Sequence, residues 1–236
     1  MPPPTPRPSF AQLHIPKGPS STLRMSPLPS EVSSPNYRGN PFLRSNLSAL
    51  IPPGKNCSLF IRKLPPNMTT HQLLSAIRGC GRIYSSYINP PFTFPDQTKV
   101  HETSAAKIVF FTRSGAETFY HRFGAQGFQI GSFCGTVLWN RVMVAEQHGL
   151  DETCSRVVVV SGSNWLVARE KLEQKIRDVC FYDLDEVLVH EADGVRTVEF
   201  RFGSYQAQAE AVFKVLGREY RDVDGVEVRF GRDPCE

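Results

Sequence analysis

Residues 58–66 read SLFIRKLPP and residues 103–111 read TSAAKIVFF. Both runs are rich in β-branched and aromatic residues and read as strands. Pro65 and Pro66 end the first one, because proline brings no N–H to a ladder. Side chains alternate across a strand, so Leu59 and Ile61 share one face while Phe60 and Arg62 share the other. In the second run Ala106, Ile108 and Phe110 form the apolar side, which leaves Ala105 and Lys107 opposite. Each strand therefore has a core side and a side on which polar or aromatic groups stand free.

Working outward, Thr69 with Gln72 makes a capping box, followed by Leu73, Leu74 and Ile77 at helical spacing and by Gly79 and Gly81 as a stop. RIYSSYIN (82–89) is a further strand, and NPPFTFPDQTKVHE (89–102) has the prolines of a long loop. Ser114 and Glu117 read as a second capping box ahead of AETFYHRF (116–123), and GTVLWNRV (135–142) closes the unit with a strand. The order over residues 55–146 is βαββαβ. The polar stretch EQHGLDET (146–153) is too short to let two units move far apart.

The pattern then repeats over residues 154–233. RVVVVSG is a strand, REKLEQKIRDV a helix with Leu172, Ile176 and Val179 on one face, and DEVLVHE a strand. Ala192–Val195 is a short turn, RTVEFRFG a strand with Val198, Phe200 and Phe202 inward, YQAQAEAVFKVLG a helix and GVEVRFG the last strand. The four consecutive valines 157–160 point to burial on both faces, against the first unit, a second copy or a C-terminal segment.

Composition divides the chain in the same way. Thirteen of the 19 prolines lie in residues 1–55, a serine-rich stretch without hydrophobic period. Residues 1–50 are expected to be a disordered tail, since they hold too little apolar surface to offset the entropy of ordering. Residues 1–55 carry six Lys/Arg against one Asp/Glu, and residues 56–147 nine against four, so each is +5; residues 148–236 carry twelve against eighteen and are −6. A basic first half suits a polyanion and an acidic second half repels one.

The first unit resembles the RNA recognition motif family throughout its length. Members fold as a four-stranded antiparallel sheet backed by two helices. Their first strand carries an aliphatic-aromatic-aliphatic-x-Asn-Leu signature and their third K/R-G-F/Y-G/A-F-V-x-F/Y. Leu59-Phe60-Ile61-Arg62-Lys63-Leu64 matches the first except for Lys63 in place of asparagine, and the second falls on Thr103–Phe110. The second unit is similar more remotely. The resemblance thus implies an α+β chain: two ferredoxin-like βαββαβ domains in tandem after the tail. The tandem arrangement together with RGNPFLRSNLSALIPP (38–53) looks like a group of fungal proteins with this domain. Phe42, Leu43, Leu47, Leu50 and Ile51 are apolar in an otherwise polar tail, and such a segment could dock in extended form along the first domain.

In members of the family the open-face positions of the third strand are aromatic and stack bases. Here they are Ala105 and Lys107, a departure that removes two of the three usual platforms. The family register sends Ile88 inward and Ser85 and Tyr87 outward, with Asn89 at the strand end. Phe60, Arg62, Lys63, Tyr87, Asn89 and Lys107 would then form a basic face with two rings, able to take single-stranded RNA by stacking and phosphate contacts. Asn140 and Arg141 reach the same ligand from the last strand, while Trp139 and Val137 fall in the core register. An exposed Phe serves a protein contact equally well, Tyr87 can merely cover the sheet, and Lys107 can be a solvated strand lysine.

The second unit presents Thr197, Glu199 and Arg201 where rings would stand, and Val158 and Val160 from its first strand. Glu199 beneath a phosphate chain is repulsive, so this domain reads as a protein-contact or intramolecular scaffold module. The alternative for the whole chain is an interaction protein whose sheets bind polypeptide. Motif-like domains that capture tryptophan-bearing peptides show an Arg-x-Phe loop before the last strand, and GAQGFQIGSFCG (124–135) has none.

No enzyme signature appears: the six histidines are scattered, and there is no nucleophile elbow, Walker loop or dinucleotide fingerprint. Asp183, Asp185 and Glu186 read as a solvated strand start rather than a carboxylate site. Six cysteines without C-x-x-C spacing argue against zinc, and no cofactor is called for. No apolar leader or membrane-spanning run is present, so an intracellular protein of nucleus or cytoplasm is expected.

Overall fold

A computed structural model describes residues 47–93 and 100–236. The expected disorder of residues 1–50, and the docking of Phe42 and Leu43, lie outside these but for residues 47–50.

The first domain runs β1 (Ser58–Leu64), α1 (Thr70–Ser75), β2 (Ile83–Asn89), β3 (Phe92–Thr93), β4 (Val100–His101), β5 (Ser104–Phe110), α2 (Arg113–Phe123), β6 (Phe128–Ile130) and β7 (Phe133–Trp139). Its sheet has the order β2-β5-β1-β7-β6 and is antiparallel throughout. Among the described residues β3 and β4 pair with each other, inside the long connection between β2 and β5. One layer of fully buried side chains fills the space between sheet and helices. Leu59 and Ile61 enter it from β1, Ala106, Ile108 and Phe110 from β5, Leu73, Leu74 and Ile77 from α1 and its exit, and Phe119 from α2. Trp139 packs at the margin of this core, with Tyr120 5.0 Å away and the Arg113 guanidinium 4.0 Å above its ring.

Local chemistry fixes the helix ends. Thr69 and Gln72 form the reciprocal capping box, and α1 stops at Ser75, so Ile77 is buried from the turn beyond it. For α2 the cap is Thr112 rather than Ser114. Its backbone is extended and its hydroxyl accepts from the Gly115 N–H, whereas Ser114 already lies within the helix. The connection 124–135 is not a bare loop, because β6 folds back on β7 as a hairpin and adds a fifth strand.

The second domain runs β8 (Val157–Ser163), α3 (Arg169–Val179), β9 (Leu184–Ala192), β10 (Val195–Phe202), α4 (Glu210–Glu219) and β11 (Val226–Phe230). Its sheet order, β11-β8-β10-β9, repeats that of the first four strands of the other domain, counted by their place in the βαββαβ unit. Asp193 and Gly194, with φ of 52° and 77°, turn β9 into β10 with both central residues left-handed. The helix expected at 205–217 begins as a distorted π-type turn, Tyr205–Ala209, in which Ala207 has φ 62°. Regular helix starts only at Glu210.

That distorted turn adjoins the seam between the domains. The Ser86 N–H donates to Ser204 Oγ at 2.9 Å, Ser204 Oγ donates to Ser86 O at 3.1 Å, and Ser86 Oγ donates to Gly203 O at 2.6 Å. The exposed edge of β2 is thereby capped by the second domain, which disposes of one unpaired strand edge. Beside it Tyr84, Phe111, Tyr205 and Phe230 form an aromatic cluster with ring centroids 5.2–6.0 Å apart.

The C-terminal segment completes the seam. Gly231 continues the pairing with β8, and a Cβ there would stand 2.7 Å from Val157 and 2.9 Å from Val159. Of the coverings expected for the valine run, the C-terminal segment borders Val157 and Val159 at Gly231. The register pairs Val158 with Phe200 and Val160 with Val198, so these two valines are core residues and not, as expected, open-face ones. Beyond Gly231 the segment enters the first domain. Asp233 Oδ2 accepts from the Ile83 N–H at 2.8 Å, and the Cys80 and Gly81 N–H groups donate to Cys235 O at 2.8 and 3.1 Å.

Arg156, fully buried, holds that segment in place. It pairs with Asp233 and Asp185, each at 2.9 Å, and donates to Phe202 O at 2.9 Å. Burial by itself would lower the pKa of the guanidinium, but Asp233, Cys235 and Asp185 more than reverse this, so Arg156 stays charged. Burial pushes the Cys235 thiol up to about 12, which keeps it protonated.

Candidate nucleic-acid interface

Register assembles the open face of the first domain. Lys107 on β5 lies opposite Phe60 on β1 and opposite Tyr87 on β2, and Phe60 lies opposite Leu138 on β7. One row therefore reads Tyr87–Lys107–Phe60–Leu138 straight across four strands. Tyr87 is 58% and Leu138 37% exposed, while Phe60 and Lys107 are half-buried. The next row holds Asn89 opposite Ala105 and Arg62 opposite Thr136. On the other side Ser58 and Val109 are fully buried, and the open face ends there.

A bulge shapes the cationic end. Ile61 pairs with Ala106 and Leu64 with Ser104, so Arg62 and Lys63 together face the single residue Ala105. Lys63 takes the left-handed conformation, φ 62°, that lets the extra residue fit. Simple alternation would have turned Lys63 inward and Leu64 outward. The bulge reverses both, leaving Arg62 and Lys63 exposed and Leu64 buried. Asparagine, which the family pattern has at this position, tolerates a positive φ better than lysine.

Electrostatically the face is cationic. Among the described residues no hydrogen bond or ion pair engages the side chains of Arg62, Lys63 or Lys107. No carboxylate stands in the two rows. Burial lowers the Lys107 ammonium below its ordinary pKa.

The remaining candidates sit apart. Asn140 donates to Ser58 Oγ at 3.0 Å and accepts from the Val142 N–H at 3.1 Å, which makes it a clasp for the strand exit. Arg141 is exposed, and its carbonyl accepts from Ser48 Oγ at 3.4 Å. Next to it the Ala49 N–H donates to Met143 O at 2.9 Å, so residues 48–49 lie along the β7 exit by backbone contacts. Leu47 and Leu50 point to solvent, 55% and 91% exposed. Leu138 and Thr136 were missed by the sequence reading, although the inward register of Val137 and Trp139 implies that they face outward.

The equivalent face of the second domain is closed by its own side chains. Arg201 pairs with Glu199 and with Glu186, both at 2.6 Å, and Ser161 and Thr197 share a hydroxyl contact of 3.0 Å. Among the described residues no helix is long and apolar enough to cross a membrane, and no group of three or more His, Cys, Asp or Glu could hold a metal ion.

No family model matches the sequence, and no curated protein matches it. Solved structures do. Sex-lethal RNA recognition domains 1 and 2 from Drosophila melanogaster are 14% identical, with 75% of this chain and 100% of theirs covered and a TM-score of 0.27. The first two RRM domains of yeast poly(U)-binding protein are 17% identical over 74% of this chain and 99% of theirs, at a TM-score of 0.29. The three N-terminal RNA-binding domains of the yeast splicing factor Prp24 are 9% identical over 74% and 64%, also at 0.29. These superpositions are poor over whole chains, and the fold rests on strand order and register. By that order and register, the chain carries two βαββαβ domains of ferredoxin-like α+β fold in tandem.

Proposed function

We propose that the protein binds single-stranded RNA on the open sheet face of its first domain. The observation that carries this reading is the row Tyr87–Lys107–Phe60–Leu138, bordered by Arg62 and Lys63, with three cations that no anion engages among the described residues. Two rings give flat surfaces for unpaired bases, and free cations attract phosphates. The +5 balance of residues 56–147 adds a favourable field. With two rings in place of the usual three, affinity is modest: one stack contributes about 1–3 kcal/mol. The second domain, with the charges of its outer face paired, acts as a buttress for the β2 edge rather than as a second reader.

Fluorescence anisotropy with the full chain and short single-stranded RNAs tests this. Affinity should fall with salt at about −0.7 log units per log unit for each phosphate held. Phe60→Ala should weaken binding by about 1–3 kcal/mol, roughly five-fold to more than a hundred-fold. No binding, or binding indifferent to salt and to Phe60, rejects the reading in favour of a polypeptide-binding face.

A further inference from the structure

Resting on that reading of the face, the geometry points to a phosphate clamp: Lys107 holds the phosphodiester joining two consecutive nucleotides, one stacked on Phe60 and the other on Tyr87. Lys107 is the cross-strand partner of both rings. Neighbouring strands lie about 4.8 Å apart, so β1 and β2 stand about 9.6 Å apart with β5 midway between them. Bases stacked on each other in a duplex are about 3.4 Å apart, so bases on these two rings cannot touch face to face. They are splayed, and the backbone linking them must cross the middle strand.

Lys107 is the cation at that crossing. Its neighbours in the row are both aromatic, its half-buried ammonium has no ion-pair or hydrogen-bond partner among the described residues, and no carboxylate lies in either row. An ammonium that has lost part of its hydration gains more from an anion than a fully solvated one, in line with the downward shift of its pKa. Arg62 and Lys63 stand one row away, displaced by the bulge, and cannot serve the same linkage. Phosphates carry no base identity, so the clamp sets affinity and the spacing of the two bases, not the sequence read.

The test uses the full chain and short single-stranded RNAs carrying one uncharged methylphosphonate linkage, moved stepwise along the strand. One linkage position should weaken the wild-type protein several-fold while leaving Lys107→Gln unaffected. Lys107→Gln should weaken all RNA sequences alike and make the salt slope shallower by about 0.7, with Lys107→Arg largely restoring both. An unchanged salt slope, or a loss confined to particular bases, overturns the clamp and makes Lys107 a base reader or a bystander. If Lys107→Gln folds poorly, the methylphosphonate series on the wild-type protein decides alone, because equal tolerance at every linkage also overturns the clamp. Failure of the wild-type protein to bind any RNA would instead remove the underlying function, and a Phe60→Ala effect without a Lys107 effect would remove the clamp only.

Discussion

Among the described residues the first domain leaves Arg62, Lys63 and Lys107 without anionic partners on its outer sheet face, whereas the second ties Arg201 to Glu199 and Glu186 on the corresponding face. Strand order is the same in both. The difference lies in what each face has already bound: the first offers charge and rings to solvent, and the second spends its charges internally. One fold therefore supports an open surface and a closed one within a single chain, and the side chains at a few register positions decide which.

The largest expected effect concerns the network that ties the second domain and the C-terminal segment to the first. Arg156→Ala leaves Asp233 and Asp185 buried without their cation, and removing one partner of such a group costs about 3–5 kcal/mol. Chemical denaturation of the full chain should show a loss of that size. A loss below about 1 kcal/mol would mean that the C-terminal segment is not held by this network.

The smallest effect sharpens the view of the open face. Lys63→Asn keeps the bulge but places a residue suited to φ 62° there, and should stabilise the domain by up to about 1 kcal/mol in thermal or chemical unfolding. The same substitution removes a cation and should reduce the steepness of any salt dependence of RNA binding. Stability and binding then move in opposite directions. If both fall, lysine at this position is not strained and the bulge needs another explanation.

Much of this contrast was legible in the sequence. Alternation in SLFIRKL and SAAKIVF sent Leu59, Ile61, Ala106, Ile108 and Phe110 inward, and the clean alternation of RTVEFRF set Thr197, Glu199 and Arg201 outward. The bulge was not legible, because it depends on how β1 pairs with β5: Lys63 was counted on the open face, but simple alternation gave no reason for that or for the burial of Leu64. Valines 157–160 carry no alternation, so their facing could be known only from the partners Phe200 and Val198. The seam was hidden for a further reason. Arg156 meets Asp233 across 77 positions of sequence, and no local spacing announces such a pair. Asn140 likewise looked free, since its bond to Ser58 exists only once β7 has paired with β1.

Amide chemical-shift mapping of the labelled full chain during titration with a short single-stranded RNA addresses the open-versus-closed contrast most directly. The largest changes should fall on Phe60, Arg62, Lys63, Tyr87 and Lys107, with Thr197, Glu199 and Arg201 unmoved. Shifts centred on the second domain's face, or none in either, would contradict it.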